Sequence, residues 1–124
     1  MSGVALPLIH VIDDEASLRT ALSRLLTVCG YRVALYESAE QFLARGHLDA
    51  PGCILLDINM PGMSGIQLQD HLTQAHSSLP VIFLTGNGDM DLRERALQGG
   101  AHGFLAKPVA KQHLLDAIER ALLR

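Results

Sequence analysis

Four consecutive apolar residues, Cys53 to Leu56, end in a single carboxylate, Asp57, and the chain then breaks at Pro61, Gly62 and Gly65. An apolar run without alternation fits a strand buried on both faces, the condition met in a parallel sheet covered by helices on both sides. Such a strand delivers Asp57 to its carboxyl end, where open α/β sheets place their ligand sites. Taken alone, Asp57 would also serve as a simple turn cap, so its meaning depends on the rest of the chain.

The rest of the chain repeats the pattern. Leu8 to Ile12 reads as a short buried strand ending at Asp13-Asp14. Leu18, Leu22, Leu25, Leu26 and Cys29 then recur at helical spacing, and Gly30 stands where a helix stops. Arg32 to Tyr36 is a second strand, and Ser38-Ala39-Glu40-Gln41 has the form of a capping box opening a short helix. Asp49-Ala50-Pro51-Gly52 is a turn feeding the central strand. Ser64 and Gln67 are placed to cap a third helix carrying Ile66, Leu68 and Leu72. Val81 to Leu84 is a fourth strand, ending at Thr85. A weak helix follows from Asp89 to Gln98, with only Leu92, Ala96 and Leu97 as apolar anchors. Ala101 to Ala106 is a fifth strand closed by Lys107-Pro108, and Lys111 to Arg124 an amphipathic last helix with Arg120 and Arg124 near its C-terminus. Five strand–helix units predict one α/β domain over residues 1–124, a parallel sheet with helices on both faces and right-handed crossovers. Of the two common doubly wound orders, five strands suit the flavodoxin-like 2-1-3-4-5.

Composition narrows the function. The 124 residues are 48% hydrophobic and 19% charged, as in a folded domain, and the net charge of −3 gives no electrostatic reason to bind nucleic acid directly. No apolar run reaches the roughly 20 residues that span a bilayer. Residues 1–7 lack the form of a signal peptide, so a cytoplasmic location is expected, with no membrane partner. Cys29 and Cys53 stand apart without metal-binding spacing and are expected to be buried, reduced thiols.

In the 2-1-3-4-5 order, strands one, three, four and five are neighbours. Their carboxyl ends bring together Asp13, Asp14, Asp57, Thr85 and Lys107, while the second strand, ending in Tyr36-Glu37, contributes little. Each of these residues alone has a plain explanation, as a helix-terminus charge, a turn residue or a solvated lysine; their joint placement does not. At ~4 Å and an effective dielectric of ~20, two carboxylates repel by about 4 kcal/mol, so such a cluster raises a pKa or holds a cation. Asp13→Asn is accordingly expected to raise stability in EDTA while weakening cation binding. All-oxygen ligands select a hard cation, and few protein ligands suit Mg²⁺. A lysine and a threonine beside such an ion are what phosphoryl transfer requires, and one carboxylate can itself act as nucleophile.

The stretches Val11-Ile12-Asp13-Asp14-Glu15, Leu55 through Gly65 (LLDINMPGMSG), Leu84-Thr85-Gly86 and Phe104-Leu105-Ala106-Lys107-Pro108 resemble the receiver domain of two-component response regulators over essentially the whole chain. The resemblance implies a phosphoacceptor module rather than an enzyme, with Asp57 taking a phosphoryl group from a sensor histidine kinase. It implies Asp13, Asp14, Asp57 and the backbone carbonyl of Asn59 as Mg²⁺ ligands, and Lys107 as a phosphate contact preceding a cis proline. It also implies Thr85 and Phe104 as a switching pair, although by itself Phe104 is equally read as a core aromatic. Thr85-Gly86-Asn87-Gly88-Asp89 is similar to the FixJ-type subgroup, whose members commonly carry His where Asn87 stands and usually precede a DNA-binding output domain.

Gly86, Gly88, Gly99 and Gly100 flank the weak fourth helix and mark a segment of low local stability. The face formed by that helix and the fifth strand is expected to change on phosphorylation and to carry homodimer or output contacts. Arg93 and Arg95 on it either pair across a dimer or stay solvated. Two other readings compete. A Mg²⁺-dependent phosphohydrolase wants an acid two residues beyond its nucleophile, where this chain has Asn59. A phosphorylation-independent interaction module would have no need for the complete set of five polar residues.

Overall fold

The computed structural model describes residues 6–123 except 47, 49 and 87. Strands and helices alternate along the chain: β1 Leu8–Ile12, α1 Ala16–Val28, β2 Arg32–Tyr36, α2 Ala39–Arg45, β3 Gly52–Asp57, α3 Gly65–Gln74, β4 Val81–Thr85, α4 Met90–Gln98, β5 Gly103–Ala106 and α5 Lys111–Leu122. All strand pairs are parallel, and the sheet order is β2-β1-β3-β4-β5, as the alternation predicts. Every residue of β3 and β4 is buried. The unbroken apolar runs therefore mark the two strands covered on both faces.

Two cores lie on opposite faces of the sheet. Ile12, Ile54, Leu56 and Phe83 pack with Phe42, Leu68, Leu72 and Ala96 of α2, α3 and α4. Ile9, Val11, Cys53, Leu55, Ile82 and Leu84 pack with Leu22 and Leu26 of α1 and Leu114 and Ile118 of α5. The alternation Cys53/Leu55 against Ile54/Leu56 is the period-2 geometry of a strand serving both cores. Among the described residues, no helix is long and apolar enough to cross a membrane.

The helix ends show how local sequence sets the boundaries. Ser64 and Gln67 form a complete capping box at α3. At α2 only half of the expected box is made. The Ser38 hydroxyl accepts from the Gln41 N–H, but the Gln41 side chain accepts from the N–H of Glu37, one residue upstream of the cap. The fifth strand begins at Gly103 rather than Ala101, because the Ala101 N–H is consumed in closing α4, donating to Ala96 across Gly100 (φ +96°). The same closure ends α1 at Gly30 and leaves Cys29 exposed as the capping residue, against the expectation of two buried thiols. Cys53 is buried, and burial pushes its thiol up to about 12, leaving it inert. On α4 only Ala96 is buried; Leu97, expected to be an anchor, is 63% exposed, and Met90 is 72% exposed. The proposed turn residue Asp49, and Asn87 and Arg124, lie outside the described residues.

Gly65 opens α3 directly beneath the end of β3, with its N–H on the Ile58 carbonyl at 3.3 Å. A Cβ there would overlap the carbonyl oxygen of Asp57 and stand 2.9 Å from the Ile58 Cα, both backbone atoms that cannot yield. Gly65→Ala is therefore expected to destabilise the fold by roughly 1–3 kcal/mol, read as a lowered midpoint in urea unfolding.

Candidate functional site

The register brings the strand ends level. Ile12 of β1 pairs with Leu56 of β3, so Asp13 and Asp57 leave the sheet side by side. Asp57 pairs with Leu84 of β4, and Thr85 pairs with Ala106 of β5, which places Lys107 next to Thr85. The Lys107 N–H closes this edge by donating to the Thr85 carbonyl at 2.8 Å. Asp13, Asp57 and Thr85 are buried, while Asp14 is exposed. One oxygen from each of Asp13, Asp14 and Asp57 lies within 4.8 Å of the other two. The polar residues that the sequence assigns to one edge thus do converge.

The ammonium of Lys107 lies 3.0 Å from Asp13 Oδ2 and 3.3 Å from Asp57 Oδ2. Each carboxylate keeps its other oxygen for a backbone amide: Glu15 N–H donates to Asp13 Oδ1 at 2.9 Å, and Asn59 N–H to Asp57 Oδ1 at 3.1 Å. Asp13 Oδ2 is fully buried and makes no hydrogen bond of good geometry, so the nearby ammonium is its compensation. This buried oxygen, within an all-oxygen cluster, fits a hard divalent cation.

Burial pushes the Asp57 carboxyl up to about 6, and repulsion from Asp13 adds to it, against the Asn59 amide and the Lys107 charge. The pKa of Lys107 is raised as well, but for a lysine this favours the charged form. Burial would depress its pKa, but its interaction as donor with the Asp13 carboxylate and the charges of Asp57 and Asp13 outweigh burial and raise it. Two buried carboxylates therefore share one ammonium.

Thr85 Oγ1 donates to the Leu105 carbonyl at 3.4 Å, at the long limit of a hydrogen bond. Phe104, half-buried, stacks on Phe83 with centroids 6.1 Å apart, and the Arg93 guanidinium stands 4.9 Å above its ring. Arg93 stays exposed to solvent, as a solvated face would have it, while its guanidinium covers this ring. A cleft of about 230 Å³ lies between α4 and the end of β5, lined by Thr85, Gly88, Arg93 and Lys107 among others. A larger cavity of about 500 Å³, between β5 and α5, touches none of the carboxylates.

Two supporting residues escaped sequence reasoning. Arg19 on α1 donates to the Asp13 carbonyl at 2.7 Å, holding the loop that carries Asp13 and Asp14. Glu40 on α2 accepts from the Met63 N–H at 3.1 Å in the loop after β3. Arg19 lies one to two turns past the loop it holds, and Glu40 read only as part of a capping box because its partner is 23 residues away.

Because the folded pKa of Asp57, about 6, lies above its ordinary 3.8, ionising it opposes folding. Its stabilising contribution is complete below about pH 4 and is lost as the pH rises through about 6. Asp57→Asn, which cannot ionise, is expected to melt higher than wild type at pH 8 in EDTA, by on the order of 2 kcal/mol, with the gain vanishing by pH 4. Asp13→Asn is not the equivalent test, since it removes the nearer partner of Lys107.

The family model described as "Response regulator receiver domain" matches residues 9–119. Nodulation protein W of Bradyrhizobium diazoefficiens is 38% identical over 94% of this chain and 52% of its own length. Transcriptional regulatory protein TdiR of Thauera aromatica is 42% identical over 92% of this chain and 50% of its own. The chain spans about half the length of these two relatives. Among solved structures, the crystal structure of FixJ-N superposes with a TM-score of 0.89 at 35% identity, covering 98% of this chain and 97% of that one.

Proposed function

The chain belongs to the response regulator receiver domain family, and from that premise we propose that it is the phosphoacceptor of a two-component pathway, with Asp57 receiving the phosphoryl group. The observation that carries this reading is the lysine-bridged carboxylate cluster at the ends of β1, β3 and β5. An Asp57 carboxylate oxygen attacks the phosphorus of a phosphohistidine on a sensor kinase. The P–N bond breaks, the imidazole leaves with its electron pair and takes up a proton, and an acyl phosphate remains on Asp57.

Asp13, Asp14, Asp57 and the Asn59 carbonyl are the groups that would hold Mg²⁺, which when bound supplies positive charge to offset the phosphoryl oxygens. Lys107, already between Asp13 and Asp57, is placed to follow the new charge onto a phosphoryl oxygen. Modification adds nearly two negative charges at Asp57. The Thr85 hydroxyl, held by a long bond to Leu105, gains a stronger acceptor there. Its movement opens space for Phe104, and a moving Phe104 carries away the ring beneath Arg93. The α4–β5 face, with Met90 and Leu97 outward, is the surface this movement alters and the proposed site of homodimer or output contact. The relatives named as transcriptional regulators support a transcriptional output, reached through a further domain and not by DNA contact of this segment. The chain acts as a phosphoryl acceptor and not as a turnover phosphohydrolase, because Asn59 offers no acid for a leaving group. A cytoplasmic site of action follows from the same reading.

Incubation with acetyl phosphate and Mg²⁺ is expected to add one phosphoryl mass to wild type and none to Asp57→Asn, by intact mass spectrometry; a gain in both would remove Asp57 from this role. Hydrogen exchange with a phosphoryl mimic is expected to change between Asp89 and Phe104, and an unchanged pattern there would contradict the switch.

A further inference from the structure

The second βα unit stands apart from the site by strand order: β2 pairs only with β1, and the clustered carboxylates Asp13, Asp14 and Asp57 come from other strand ends. Yet Glu40, in the first turn of α2, reaches the loop that follows β3, where its Oε2 accepts from the Met63 N–H at 3.1 Å. The fit is tight. A Cβ on Gly62 would stand 2.8 Å from the same oxygen, and Gly62 holds a φ of +73°, so the carboxylate lies over the Gly62–Met63 peptide where a side chain is missing.

This loop carries Asn59. Its two ends are fastened locally, by Ile58 N–H to Leu84, Gly65 N–H to Ile58, and the Ser64–Gln67 capping box. Between them, Asn59 and Gly62 are exposed, and Asn59 N–H is turned back onto Asp57. Among the described residues, Glu40 makes the one hydrogen bond from another helix to the backbone of this span. A charged acceptor on an amide is stronger than a neutral one, and a carboxylate in the first turn of a helix is favoured by the helix dipole.

We propose that Glu40 is a positioning residue for the cation site, holding the Asn59–Met63 turn so that the Asn59 carbonyl is presented to a divalent cation gathered by Asp13, Asp14 and Asp57. The proposal rests on the reading of Asn59 given above. Groups that orient metal ligands without touching the metal commonly matter by ten-fold or more in affinity; an exposed strap such as this one should lie near the lower end.

The test compares Glu40→Ala, which removes the acceptor, with Glu40→Gln, which keeps an acceptor and removes the charge. Mg²⁺ affinity is measured by titration calorimetry and the Met63 amide by hydrogen exchange on the same proteins. Glu40→Ala is expected to bind Mg²⁺ about 5- to 10-fold more weakly and to exchange faster at Met63; Glu40→Gln is expected to stay within about two-fold of wild type in both. Wild-type affinity in Glu40→Ala, with faster Met63 exchange, would overturn the proposal while leaving the cation site intact. Equal losses in both variants would also overturn it, since charge and not the strap would then be responsible. Failure of wild type itself to bind Mg²⁺ would overturn the site reading and this proposal together.

Discussion

One ammonium among three carboxylates governs the carboxyl edge of this sheet. Lys107 closes on Asp13 and Asp57 at 3.0 and 3.3 Å, joining the ends of β1, β3 and β5 across the sheet. Without it, two buried carboxylates would face each other in a low-dielectric setting, an arrangement that proteins resolve by protonation or a cation. With it, the charge is only partly balanced, and burial, joined by repulsion from Asp13, still raises the pKa of Asp57. The ionised form of Asp57 is thus held at a cost in the folded chain.

The fold below makes this tension sustainable. β3 and β4 are buried along their whole length between two cores, so the backbone that delivers Asp57 and Thr85 cannot drift to relieve repulsion. Above the sheet, the loops are held from outside by Arg19 on the Asp13 carbonyl and Glu40 on the Met63 amide. The exception is α4. It buries only Ala96, with Gln69 of α3 donating to the Ala96 carbonyl at 2.9 Å near its C-terminal end. Toward its N-terminal half, Arg93 rests on Phe104. The element best placed to respond is the one least committed to the core.

Much of this was legible in the sequence, for a physical reason. Doubly buried parallel strands leave unbroken apolar runs, and such a run ending in Asp57 fixes both the strand and the place of the carboxylate. Strand order then decides which other ends are neighbours, so Asp13, Asp14, Thr85 and Lys107 followed from topology. What was not legible depends on side-chain reach. Nothing in the spacing says that Lys107 would lie nearer Asp13 than Asp57, or that the second βα unit would touch the site through Glu40. Boundary errors had the same character: Cys29 and Leu97 fit the helical period, but the former lies in a cap and the latter faces outward on a helix with little core contact. Periodicity records which face is apolar, and it does not record how much of that face finds a partner.

The central claim, that Asp57 is a buried acid in a lysine-bridged cluster suited to a cation, is tested most directly by carbon NMR titration of the Asp57 side-chain carboxyl, with EDTA and then with Mg²⁺. The account predicts an apparent pKa of about 6 in EDTA, falling well below that when Mg²⁺ is present. An ordinary carboxylate value near ~4 in EDTA, unmoved by Mg²⁺, would contradict it.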